Sequence, residues 1–172
     1  MTPEFSRPIK LDQIGSRPQS IDLTATPGEC AALAARFDLA SLASLSAKVA
    51  IAREGDSVSV SGQFAAKLEQ ACIASGDPVA AAIGEPLTIR FIPPAAGPDE
   101  LELDSADCDI LDHDGLSVDL GEAIAQSLGL ALNPYPRSAK AEALLKAAGV
   151  KSEEEASALG PLAALLTPKV QQ

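Results

Sequence analysis

Tryptophan is absent from this chain, aromatic residues fill only 3% of its 172 positions, and histidine and methionine occur once each. Proteins that read single-stranded RNA stack bases on aromatic side chains, so recognition by stacking is poorly served here. The one histidine, His113, lies between Asp112 and Asp114 in a polar stretch, and no G-x-S-x-G elbow occurs. A Ser–His nucleophile therefore has no footing, and His113 reads as a solvated loop residue. Neither a P-loop nor a G-x-G-x-x-G turn is present, which leaves no nucleotide fingerprint.

Cysteine is equally sparse. Cys30, Cys72 and Cys108 are odd in number and lie 42 and 36 residues apart, with no C-x-x-C pair. That spacing supports neither a disulfide framework nor a Cys-based zinc site. The three thiols read as small packed hydrophobes in a reducing compartment. No apolar run approaches the roughly 20 residues that cross a bilayer, and the first residues lack the hydrophobic segment of a signal peptide. The expectation is a cytoplasmic protein without membrane contact.

Positive charge is missing from one long stretch. Between Phe91 and Pro136 there is no Lys or Arg, but ten acids: Asp99, Glu100, Glu102, Asp104, Asp107, Asp109, Asp112, Asp114, Asp119 and Glu122. The net charge of −11 sits almost wholly there. Such a field repels phosphate and attracts a basic protein, and a purely solubilising loop is the plainer alternative. Glu100, Glu102, Asp104, Asp107 and Asp109 are the candidate partner-binding residues. Paired-carboxylate chemistry has no specific signal among so many acids. Asp107, Asp109, Asp112 and Asp114 lack the ligand order, central Gly and closing Glu of an EF-hand. No catalytic residue, metal ligand or cofactor site is assigned.

What the chain does contain is a 47% apolar complement built from Ala, Leu, Ile and Val, enough for one domain core. Short strands are expected at Ile9–Ile14 and Ile21–Leu23, around the Gly15–Pro18 break. Thr26-Pro27-Gly28-Glu29 has the form of a capping box opening a helix, in which Leu33 and Phe37 share a face. Leu45 to Ile51 and Val58 to Phe64 alternate with polar residues about Glu54-Gly55-Asp56, which predicts an antiparallel hairpin. Leu87–Ile92 supplies another strand, stopped by Pro93-Pro94. Ala95–Asp107 reads as loop, and Cys108–Asp112 as an edge strand before the Asp114-Gly115 turn. Asp119 caps a second helix with an apolar stripe at Leu120, Ile124 and Leu128, ended by Asn133-Pro134-Tyr135-Pro136. An Ala/Leu-rich segment from Lys140 stops at Gly149, and Ser152-Glu153-Glu154-Glu155 starts a last short helix. The expected class is α+β, an antiparallel sheet packed by two or more helices. Residues 1–138 form the domain, with an acidic loop over 93–114, and residues 139–172 a helical tail.

Several stretches, in order, resemble one family. They are Phe5-Ser6-Arg7, Thr26-Pro27-Gly28-Glu29, the run from Gly62 through Gln70 to Cys72, Arg90-Phe91, Asp119-Leu120-Gly121-Glu122, and Leu128–Leu132 leading to Asn133-Pro134-Tyr135-Pro136-Arg137. Together they are similar to the YceD family of bacterial large-subunit ribosomal RNA accumulation proteins, in its alphaproteobacterial form, over residues 5–140. The resemblance implies a non-catalytic role in accumulation of 23S ribosomal RNA and assembly of the large (50S) subunit. It marks Gly62, Gln70, Cys72, Arg90, Phe91, Asp119, Leu120, Glu122, Pro134 and Pro136 as motif residues; Gly62 also reads as a strand bend, and Asp119 and Glu122 as helix caps. Some relatives carry Cys pairs at the position of Cys72 and near the C-terminus. Here the first is Cys72-Ile73-Ala74-Ser75 and the second is absent, so no metal role carries over.

The partner so implied is a basic ribosomal protein or a large-subunit precursor. Two other readings compete. A metal-dependent RNA-processing enzyme would need cations beside its acids to grip phosphate, and residues 91–136 have none. A direct RNA-binding module would rely on Arg7, Lys10, Arg17, Arg36, Lys48, Arg53 and Lys67, which are interleaved with acids.

Overall fold

The computed structural model describes residues 3–93 and 109–149. Its elements run β1 (Pro8–Lys10), a 3-10 turn (Leu11–Gln13), β2 (Gln19–Thr24), α1 (Pro27–Arg36), β3 (Ser41–Glu54), β4 (Ser57–Ala71), β5 (Pro78–Ile92), β6 (Asp109–Asp112), β7 (Ser117–Asp119), α2 (Leu120–Ala131) and α3 (Ala141–Ala147). The class is α+β. Packing groups the chain into two units, Met1–Gln70 with Ala80–Pro134 and Ala71–Val79 with Tyr135–Gln172. The division expected at 138/139 thus falls inside the second unit.

In the first unit β2, β3, β4, β5 and β6 form one sheet in that order. The alternation of β3 and β4 sets their antiparallel register, with Ala47 opposite Phe64, Val49 opposite Gly62 and Ile51 opposite Val60. Gly55, at φ +64°, supplies the left-handed position of the turn between Glu54 and Ser57. Each of these strands is longer than its alternating stretch, because Ser, Ala and Lys positions outside it continue the same pleat. One face of the sheet packs with Cys30 and Leu33 of α1 and Leu120, Ile124 and Leu128 of α2 into a single core. The other face leaves Ser46, Lys48, Ser61, Gln63, Lys67 and Arg90 exposed.

Three sequence expectations change. Leu11–Gln13 is a 3-10 turn rather than the continuation of a strand, and it buries Leu11. The strand expected at Leu87–Ile92 begins nine residues earlier, at Pro78. Gly84 and Pro86 are poor strand formers, but β6 covers only Ile89–Ile92, so among the described residues β5 is an edge strand through Pro86, where proline is tolerated. Finally, β6 pairs parallel to β5, which makes the sheet mixed rather than purely antiparallel.

The helices start as their caps dictate. Thr26 Oγ1 accepts from the Glu29 amide and the Glu29 carboxylate accepts from the Thr26 amide, a complete capping box. Asp119 accepts from the Glu122 amide at 3.1 Å and opens α2. In the second unit α3 ends before Gly149, whose φ of +79° stops it. The helix expected from Ser152 lies outside the described residues. No helix among those described is long and apolar enough to cross a membrane.

Candidate functional site

Phe5-Ser6-Arg7 crosses the start of α2, and glycine is what lets it do so. A Cβ on Gly121 would strike the Phe5 carbonyl oxygen and lie 2.9 Å from the Arg7 nitrogen, both backbone atoms. At that crossing Asp119 accepts from the Arg7 amide at 2.7 Å and from Ser6 Oγ at 2.5 Å, besides capping its helix. The Arg7 guanidinium forks onto Glu29 at 2.7 and 3.0 Å. This bidentate pair, with the Thr26 amide, holds the Glu29 carboxyl at about 2, well below its ordinary 4.5. A second fork joins Arg36 of α1 to Glu122 of α2 at 2.8 Å, and Arg36 also reaches Glu4 at 3.0 Å. Arg36 draws the Glu122 carboxyl down in turn. Asp119, Leu120 and Glu122 are thus brought together with three chain segments, and their chemistry there is that of a staple.

The other motif residues form separate contacts. The Gln70 side-chain amide donates to the Asn133 carbonyl at 2.9 Å, beside Pro134. Phe91 is a core residue, whereas Arg90 faces out, 3.6 Å from Glu54 with both side chains half-exposed. Gly62 serves a close approach of strands: a Cβ there would strike the Lys48 carbonyl oxygen and sit 2.7 Å from Val49 Cα. The outer-face groove beside it, of about 550 Å³, is bordered by Asp22, Lys48, Gln63 and Glu85.

In the second unit Cys72 closes a tight turn. Its carbonyl accepts from Gly76, at φ +72°, and its amide donates to the Asp77 carbonyl, both at 2.8 Å. The Ile73 amide donates to the buried Pro136 carbonyl at 3.0 Å, and the Ser138 amide donates to Cys72 Sγ at 3.3 Å. Ser75, Ser138 and nearby amides lower the Cys72 thiol to about 6, although the residue is only 3% exposed. Cys72 is therefore more than a small packed hydrophobe. Cys30 does behave as one, its thiol pushed up by burial. Cys108 lies outside the described residues. No family model, no curated protein and no solved structure matches the chain.

His113 corrects the sequence reading. It is buried, not solvated: Nε2 lies 3.0 Å from the Asp56 carbonyl, and Nδ1 accepts from the Gly115 amide at 3.0 Å. With Nδ1 as acceptor, Nε2 is left to donate to the Asp56 carbonyl, and the two bonds tie the β3–β4 turn to the β6–β7 loop. No sequence signal marks this, because the partners are backbone atoms, one of them 57 residues away. The forks of Arg7 and Arg36 escape sequence reasoning because their carboxylate partners lie 22 and 86 residues away. Of the acidic candidates, Glu100, Glu102, Asp104 and Asp107 lie outside the described residues, and Asp109 is exposed on β6. Asp114 is held down by the amides of Ser117 and Leu116 in its loop. Among the described residues no group of three His, Cys, Asp or Glu is placed to hold a metal ion.

Proposed function

We propose that this chain is a non-catalytic ribosome biogenesis factor, required for 23S ribosomal RNA to accumulate and for the large subunit to assemble. It acts in the cytoplasm through contacts with a basic ribosomal protein or a subunit precursor. The observation that carries this reading is the ordered series of motifs from Phe5 to Pro136, similar throughout to the YceD family. The motif residues Asp119, Glu122 and Gln70 are engaged in holding chain segments together, which suits a family defined by its scaffold rather than by a reaction. The charge distribution supports a protein partner over naked RNA. Arg7 and Arg36 are occupied by carboxylates, and Arg53 donates to the carbonyls of Gly55 and Leu11, so three of the seven cations that an RNA-binding module would use are already engaged.

Depletion of the protein in its own host tests the reading. Sucrose-gradient profiles should show a deficit of large subunits, and the ratio of 23S to 16S ribosomal RNA should fall. An unchanged profile and ratio after depletion would overturn the proposal.

A further inference from the structure

Two cavities, of about 260 and 230 Å³, lie where α2 passes the β5–β6 edge of the sheet. Asp109, Ser127 and Leu130 line both, so they are two reaches of one open trough. On the strand side its lining runs from Glu85 to Leu111, and Leu111 stands level with Phe91 in the parallel register. Six strand residues span about 20 Å at 3.3 Å per residue, the length of an extended peptide of about six residues. Apolar side chains of Phe64, Leu87, Ile89 and Ala123 reach its walls. Leu130, at 78% exposure, is the most exposed large hydrophobic residue among those described. The acids Glu85 and Asp109 are exposed at its rim. No Lys or Arg lines either cavity, and none occurs between Phe91 and Pro136.

We propose that this trough docks an extended, lysine- or arginine-rich segment of a partner protein. An aliphatic side chain of the segment covers Leu130 while its cations face Glu85 and Asp109. The proposal rests on the reading above that the chain works through a basic protein, and it names the surface and the recognised chemistry. Phosphate would meet the same two carboxylates and be repelled. A second copy of the chain would bring its own acids against them, a like-charge arrangement that disfavours self-association. Pro86 has no amide hydrogen to give, so the side chains, more than added strand pairing, carry recognition.

The test is an NMR titration of the full ¹⁵N-labelled chain with the end-capped hexapeptide Lys-Leu-Lys-Leu-Lys-Leu. Shifts are expected at the amides of Leu87, Asp109, Ser127 and Leu130, and none with the Glu-Leu counterpart. The paired change Glu85→Lys with Asp109→Lys should weaken binding about tenfold or more, and Leu130→Gln about threefold or more. All three positions are exposed, so the remaining amide spectrum should stay in place. Shifts elsewhere on the chain, affinities indifferent to these variants, or no binding at millimolar peptide would overturn the proposal. So would a dimer that Leu130→Gln dissolves, which would give the trough to a second copy. In cells the two readings separate. If depletion blocks large-subunit assembly and the trough variants restore it fully, the trough proposal falls and the biogenesis reading stands. If depletion has no effect, the biogenesis reading falls and the titration still decides the trough.

Discussion

Replacing Glu29 with Gln isolates the Arg7–Glu29 fork from the helix cap, because glutamine at the third helical position still accepts from the Thr26 amide. The carboxyl moves from 4.5 to about 2 on folding, and each unit corresponds to about 1.4 kcal/mol, so linkage caps the contribution at about 3.4 kcal/mol. The two side chains remain 32% and 21% exposed, and screening by solvent brings the expected cost down to about 1–1.5 kcal/mol. Because the folded value is depressed, this stability is fully present above pH 4.5 and is lost as pH falls toward 2. By pH 3 more than half should be gone in the natural chain, whereas Glu29→Gln has nothing there to lose. Urea unfolding of both proteins at pH 7, 4.5 and 3 measures it, with the midpoints converging as the acid is added. A constant difference across the three pH values would show that the fork contributes through packing or the cap, and that the depressed carboxyl has been misjudged.

Gly121→Ala should cost more than 2 kcal/mol, because its Cβ meets the backbone of Phe5 and Arg7 rather than a flexible side chain, and thermal melting would show it. Asp119→Ala removes acceptors for Ser6, Arg7 and Glu122 at once, so about 2–3 kcal/mol is expected from denaturant midpoints, against about 1 for a helix cap alone. Leu128→Ala, at a fully buried position on α2, should cost about 2–5 kcal/mol in the same assay. Cys72 should show thiolate absorbance near 240 nm rising with a midpoint near pH 6, absent in Cys72→Ser, and the thiolate's stabilising effect should be lost as pH falls through that midpoint.

The parts of the fold that were legible in the sequence are those governed by local chemistry. The Thr26–Glu29 capping box, the Gly55 turn, the Asp119 cap and the Leu120–Ile124–Leu128 stripe each lie within a few residues of the partners that explain them. The β3–β4 alternation is local too, and it sets which side chains enter the core. Strand β5 was half legible because its first part, Pro78 to Pro86, owes its extended form to neighbouring β4 and not to strand propensity. Parallel pairing of β6 has no local signature, since it joins strands separated by residues 93–108.

Side-chain partnerships were the opposite case. Arg7 and Glu29 are 22 residues apart, Arg36 and Glu122 are 86, and both pairs contain residues that also carry ordinary local readings as caps and surface charges. Glu29 serves the Thr26 cap and the Arg7 fork with the same carboxylate; Asp119 serves α2 and the Phe5–Arg7 segment likewise. A residue with two such duties keeps its identity under a tighter constraint than either duty imposes, since a substitute must satisfy both geometries at once. That double use makes the run Asp119 to Glu122 a staple between α2 and the distant segments that hold Arg7 and Arg36. Residues that meet a partner face weaker internal constraint, and Glu85, Asp109 and Leu130 are exposed with no such network behind them. The proposed docking surface accordingly lies along the α2–β6 trough, away from the staple formed by Asp119, Glu122, Arg7 and Arg36.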